Sequence, residues 1–209
     1  MFAAAMARRE EARARLALLS AREAGASRVA AEETALMLML YAGYPAALEG
    51  LRVLNATWPG RARRAREGGP ARWRQAGERL CARVYGPSYA RLVPAVRALH
   101  PDLAVWMVEQ GYGRVLSRSG LSARERELVT VAALAGLDWP RQLVSHLLGA
   151  RRVGAGDAEI EDALRLGATL GGARSRARAR AEWARLRAAS ARRPGTRVAG
   201  TVRARMPSA

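Results

Sequence analysis

Four strong helix formers, Ala, Leu, Arg and Glu, dominate this chain, while β-branched residues are few and there is a single Phe. Such a chain has little from which to build strands, and an all-α fold is expected. Half of its 209 residues are hydrophobic, enough for one sizeable core or two small ones. Gly and Pro then cut the helical pattern into segments.

An amphipathic helix is expected from about Arg8 to Glu23, stopped by Gly25, with Ser27 placed to cap the next. The body of that second helix, Ala35 to Tyr41, has no polar stripe, so it should be buried against several neighbours or a partner subunit. Gly43-Tyr44-Pro45 breaks it, and Pro45 opens a helix to Trp58. Pro59 to Pro70, rich in Arg and Gly, reads as a solvated connector. The pattern resumes at Trp73, halts at Gly86-Pro87, runs from Tyr89 to Leu99, and restarts after Pro101 as Leu103 to Tyr112. Ser122 with Glu125 three residues on has capping-box spacing, and an apolar run from Leu128 to Leu137 follows. Asp138-Trp139-Pro140 makes a turn into a helix from Arg141 to Val153, ended by Gly154. Asp157 caps Ala158 to Leu170, and Gly171-Gly172 closes the ordered part. The expected organisation is a unit over 1–59, a linker over 60–72, a second unit over 73–172, and an Arg-rich tail over 173–209 that is partly helical and then disordered. Gly25-Ala26-Ser27 and Gly154-Ala155-Gly156 lie at an offset of 129, a short match that helix-pair joints also produce without duplication.

The formal charge of +18 comes from Arg alone, since the chain has no Lys, and this compositional bias weakens the case for a polyanionic partner. Residues 172–209 hold eleven Arg and one Glu, so the tail carries +10 of the charge. A solvated tail is expected, and contact with nucleic acid ranks last among the functional readings. The lone Cys81 can form neither an intrachain disulfide nor a CxxC pair and is expected to be an inert buried thiol. No metal-ligand spacing and no glycine-rich phosphate loop is present, so neither a metal nor a cofactor is expected. The longest apolar stretch, Thr34 to Gly43, is too short to span a bilayer, and Met1 to Met6 runs into charged residues without a cleavage site. The expected setting is the reducing cytoplasm, with no membrane partner.

The segment Leu121-Ser122-Ala123-Arg124-Glu125-Arg126-Glu127-Leu128-Val129, then Ala132-Ala133-Leu134, then Gln142 to Ala150 and Gly154, resembles the carboxymuconolactone decarboxylase family in order and spacing. Glu109 to Gly120 resembles the part of that family before this helix, and Glu33 to Leu48 resembles the last part of the same domain, as if residues 1–59 were a truncated second copy. The resemblance implies a helical, alkylhydroperoxidase D-like fold assembled into trimers or hexamers. In the superfamily's redox branch a Glu, a CxxC pair with an intervening His, and a downstream His act together. Here the Glu falls on Glu127 and the downstream His on His146, whereas the cysteine positions fall on Trp139 and Gln142 and the intervening His on Arg141. Dithiol peroxidase chemistry therefore has no nucleophile. The truncated copy has Ala17 where His146 would align.

Glu127 and His146 sit about 11 and 8 residues from the turn at Asp138, so at about 1.5 Å per residue their levels differ by about 5 Å and they can meet. An imidazole can protonate carbon after decarboxylation, and a carboxylate can fix its tautomer. His146 is thus the expected acid and Glu127 its orienter. The plain alternatives are a helix His bonded to backbone and a Glu on a solvated, salt-bridged face. Arg141 is expected to bind a substrate carboxylate, the alternative being an ordinary surface Arg, and Trp139 with Trp106 to wall the pocket or simply to pack. With these residues, the resemblance implies a cofactor-independent lyase acting on a small carboxylated lactone or ring acid. A non-catalytic oligomeric scaffold of the same fold is the alternative; peroxidase activity is disfavoured by the missing CxxC.

Overall fold

The structure, a computed structural model, describes residues 1–62, 64–65 and 68–191. Among them there are helices and turns and no strand, as the composition leads one to expect. The helices are α1 (Phe2–Ala7), α2 (Glu11–Glu23), α3 (Arg28–Thr57), α4 (Pro70–Tyr85), α5 (Tyr89–Leu99), α6 (Pro101–Trp106), α7 (Ala123–Leu137), α8 (Pro140–Arg152) and α9 (Asp157–Ala191). A π-helical segment, Met107–Leu116, continues α6. No helix is long and apolar enough to cross a membrane among these residues.

α7 lies at the centre and is buried on nearly every side. Ala132 and Ala133 face a cluster built by α1 to α3, while Val131, Leu134 and Ala135 face Leu143, Leu147, Ile160 and Leu164 of α8 and α9. A third cluster joins Met37 of α3 and Cys81 and Val84 of α4 to Val108, Tyr112 and Val115 of the π-helical segment. The helix expected over Leu103 to Tyr112 is thus α-helical only to Trp106. Its π-helical part packs backbone against backbone on α4: a Cβ on Gly113 would stand 1.9 Å from the Trp73 carbonyl oxygen, and one on Gly77 2.0 Å from that of Val108. Only glycine allows that approach.

Three expectations need correction. The opening residues are a separate buried helix, α1, rather than a run into the first amphipathic helix, which starts at Glu11. α4 starts at Pro70, so the connector ends at Gly69, three residues before the expected limit of 72. Gly172 (φ 86°) does not close the ordered part; α9 bends there and continues to Ala191, burying Ser175, Ala179, Trp183 and Leu186. The Ser175 hydroxyl donates to the Ala135 carbonyl at 2.6 Å, and Arg151 stacks on Trp183. This stretch of the tail is docked, not solvated; the disorder expected beyond Pro194 lies outside the described residues. The offset of 129 recurs in the backbone. Arg9, Gly25 and Gly43 (φ 60°, 83° and 82°) are matched by Asp138, Gly154 and Gly172 (φ 58°, 97° and 86°). Ala14, Leu18, Ala31 and Ala35 are buried, as are Leu143, Leu147, Ile160 and Leu164 at the same offset.

The N-terminal helices are tied to α7 by a buried ion pair. Arg126 donates from Nη2 to Glu33 Oε2 at 2.9 Å and to the Arg118 carbonyl at 2.8 Å, while Arg118 Nε donates to the same carboxylate at 3.0 Å. Arg126 and Glu33 are both buried. Removing one partner of such a pair leaves a charge in an apolar interior without compensation. Glu33→Ala is expected to cost about 3–5 kcal/mol in denaturant unfolding, far more than Glu49→Ala on the exposed side of α3.

Candidate functional site

α7 begins with the expected capping box: Ser122 Oγ accepts from the Glu125 amide, and Glu125 Oε2 accepts from the Ser122 amide. Asp138, in the left-handed region, ends the helix, and Pro140 starts α8, which folds back along α7. This hairpin brings His146 Nδ1 to 2.8 Å from Glu127 Oε2. Both side chains are buried, Glu127 at 2 % exposure and His146 at 8 %. A buried carboxylate needs a donor, so Nδ1 carries the hydrogen and donates it to Glu127, leaving Nε2 for other work. One turn beyond His146, a Cβ on Gly149 would lie 2.6 Å from Glu127 Oε2, so glycine there gives the carboxylate its room.

His146 lines a cleft of about 680 Å3. α3 supplies Met39, Leu40 and Tyr41; Tyr85 ends α4; Trp106, Met107 and Tyr112 come from α6 and its π-helical continuation; Trp139 and Gln142 stand at the start of α8. Among the described residues no Arg, Asp or Glu lines the cleft, in a chain with 36 Arg. A groove of about 330 Å3 between the two arms of α9 is different in kind, rimmed by Arg165, Arg176, Arg180 and Arg187.

The four charges of the run Arg124 to Glu127 separate. Arg124 pairs with Glu159, Glu125 caps its own helix, Arg126 goes to Glu33, and Glu127 goes to His146. Trp139 lies on the cleft, more than half exposed, and so does Trp106. Arg141 does not join them; it is exposed and outside the cleft lining. His100 caps α6, its Nδ1 accepting from the Asp102 amide. Sequence reasoning passed over Tyr85, whose only local signal is its place before the Gly86-Pro87 helix end.

Tyr85 accepts a hydrogen bond from the Tyr112 hydroxyl at 2.9 Å, and its ring meets that of His146 edge-on, 6.1 Å between centroids. Cys81 is fully buried, and burial, with the charges of Glu127 and Glu78 adding, pushes its thiol up to about 12. A thiol held protonated is a poor nucleophile.

Comparison with known proteins singles out the segment that holds Glu127 and His146. Residues 101–186 match the model of the carboxymuconolactone decarboxylase family. The chain carries a domain of that family. No curated protein matches the chain. The carboxymuconolactone decarboxylase match runs from α6 past the bend at Gly172 into the second arm of α9, beyond the limit of 172 read from sequence. Glu127, Trp139 and His146 fall within it; Tyr41 and Tyr85, which complete the cleft, fall outside it.

The same burial fixes a pH dependence. Burial raises Tyr85 from 10.0 up to about 12, against the lowering effect of its hydrogen bond with Tyr112, as it raises Cys81 from 9.0. The folded protein holds these protons more tightly than the unfolded chain does. The stability this gives is complete below about pH 9 and is lost as pH rises toward 12. Thermal melts should show a Tm that declines above about pH 9, with a smaller decline in Cys81→Ala. A native thiol as reactive toward a disulfide reagent at neutral pH as the unfolded chain would contradict this.

Proposed function

We propose that the protein is a cofactor-independent lyase that decarboxylates a small carboxylated lactone or ring acid. The observation that carries this reading is the buried His146–Glu127 pair at the wall of a cleft that no Arg, Asp or Glu lines among the described residues. When the bond from a ring carbon to its carboxylate breaks, CO2 departs and the electron pair passes into the ring system, onto the lactone carbonyl oxygen. A cation beside the departing carboxylate would hold its charge in place and oppose the step. Surroundings without one favour the transition state, in which that charge is dispersing. Nε2 of His146, bare in the neutral ring, first takes a proton from water while Glu127 holds the ring through Nδ1, then delivers that proton to the resulting carbon and is left bare again. The exposed Arg141 has no part in this scheme.

The family resemblance brings with it a homo-oligomer, a trimer or hexamer, and we propose that this chain forms one. Leu99, Leu103, Val105 and Trp106 on α5 and α6 form an exposed apolar surface suited to a second copy, and sedimentation would measure the subunit number.

With a panel of carboxylated lactones and CO2 release as the readout, His146→Ala is expected to lower kcat about 10³-fold. Glu127→Gln should lower it about 10- to 100-fold, since the ring would keep its place and lose its tautomeric lock. Turnover in His146→Ala at the rate of the unmodified protein, or none in the unmodified protein with any member of the panel, would overturn the reading.

A further inference from the structure

We propose that the Tyr85 hydroxyl binds the negatively charged oxygen of a ring-borne enolate or phenolate in the cleft beside His146, with Tyr112 acting as a positioning residue that donates to it. This deepens the lyase reading and rests on it for the origin of the charge; the binding site itself stands on the placement of hydroxyl hydrogens.

Three tyrosines line the cleft, and two have already used their hydrogens. Thr130 Oγ1 donates its only hydrogen to the Arg126 carbonyl at 2.8 Å, so in the 2.6 Å contact between Tyr41 and Thr130 it is Tyr41 that donates. Tyr112 donates to Tyr85 at 2.9 Å. The hydrogen of Tyr85 has no acceptor among the described residues. A hydroxyl that receives a hydrogen bond donates a stronger one, so Tyr112 primes Tyr85 for an acceptor from outside the protein.

The rest of the cleft narrows the choice of acceptor. With no guanidinium in the lining among the described residues, a compact, fully charged carboxylate would be poorly solvated there. Charge spread over a flat conjugated ring and ending on one oxygen is matched by one strong hydroxyl donor, aromatic walls and an imidazole. Two amide side chains also line the cleft, Gln110, half-buried, and Gln142, exposed at the rim. A tyrosine hydroxyl is ordinarily protonated at neutral pH, and burial pushes that of Tyr85 higher still, so it stands there as a donor. In the decarboxylation such an oxygen arises when the electron pair leaves the breaking bond, before His146 returns a proton to carbon; Tyr85 keeps its own proton throughout.

The test uses 4-nitrophenol, whose ionised form absorbs in the visible, and 4-nitrotoluene as its neutral isostere, each titrated into the full chain. The unmodified protein is expected to bind the phenolate. Tyr85→Phe should weaken that binding about 10- to 100-fold, and Tyr112→Phe, which leaves Tyr85 in place, about threefold. Both variants should bind the isostere as the unmodified protein does. No phenolate binding by the unmodified protein overturns the proposal. So does unchanged affinity in Tyr85→Phe, or an equal loss for the isostere, which would mark a merely structural role. CO2 release from the lactone panel separates the two readings. A phenolate site lost in Tyr85→Phe, without lactone turnover by the unmodified protein, leaves the anion site standing and removes the lyase. Turnover that Tyr85→Phe does not slow does the reverse.

Discussion

Two adjacent buried charges on α7, Arg126 and Glu127, face different parts of the molecule, and the fold is organised around satisfying both. Burying a charge without a partner is unfavourable enough that neither side chain could occupy its place alone. Arg126 draws Glu33, and with it the N-terminal helices, onto one side of α7. Glu127 draws His146, and with it α8, onto another. The first pair is a structural clamp. The second leaves one imidazole nitrogen unengaged by Glu127 at the edge of a cleft.

That cleft needs both halves of the chain. α3 lies outside the family match, yet it supplies Met39, Leu40 and Tyr41 to the wall facing His146. The apolar run from Ala35 to Tyr41 therefore has two tasks. Ala35, Met37 and Leu38 fill the core, and the next three residues shape the cleft. The pairing of left-handed positions at an offset of 129 gives α1 to α3 and the stretch from the end of α7 through α9 the same turns. The two lack the same chemistry, because Ala17 stands at the offset from His146.

Much of this was legible locally. The Ser122–Glu125 box, the stops at Gly25 and Gly154 and the turn at Asp138 are dictated within a few residues, and the helical rise alone was enough to bring Glu127 and His146 to neighbouring levels. What escaped was decided at a distance or masked by composition. Arg126 reads as a surface residue because its partner, Glu33, lies 93 positions away. The tail reads as solvated because Arg dominates it, although Ser175, Ala179, Trp183 and Leu186 form a stripe at helical spacing. Hydrogen-bond register is not written in hydrophobic periodicity, so the π-helical segment was read as an ordinary helix. Tyr85 gains its significance from Tyr112, 27 residues away, and from the space in front of it.

The central claim is that Glu127 fixes His146 with its hydrogen on Nδ1. The chain has two histidines, so 15N labelling of the imidazoles gives two sets of ring signals to assign, those of His100 and His146. At a pH where His146 is neutral, its ring should show a protonated Nδ1 and a bare Nε2. Glu127→Ala should shift it to the mixture of tautomers seen in a free imidazole. A His146 already protonated on Nε2 when neutral, or a ring unchanged by loss of Glu127, would contradict the account.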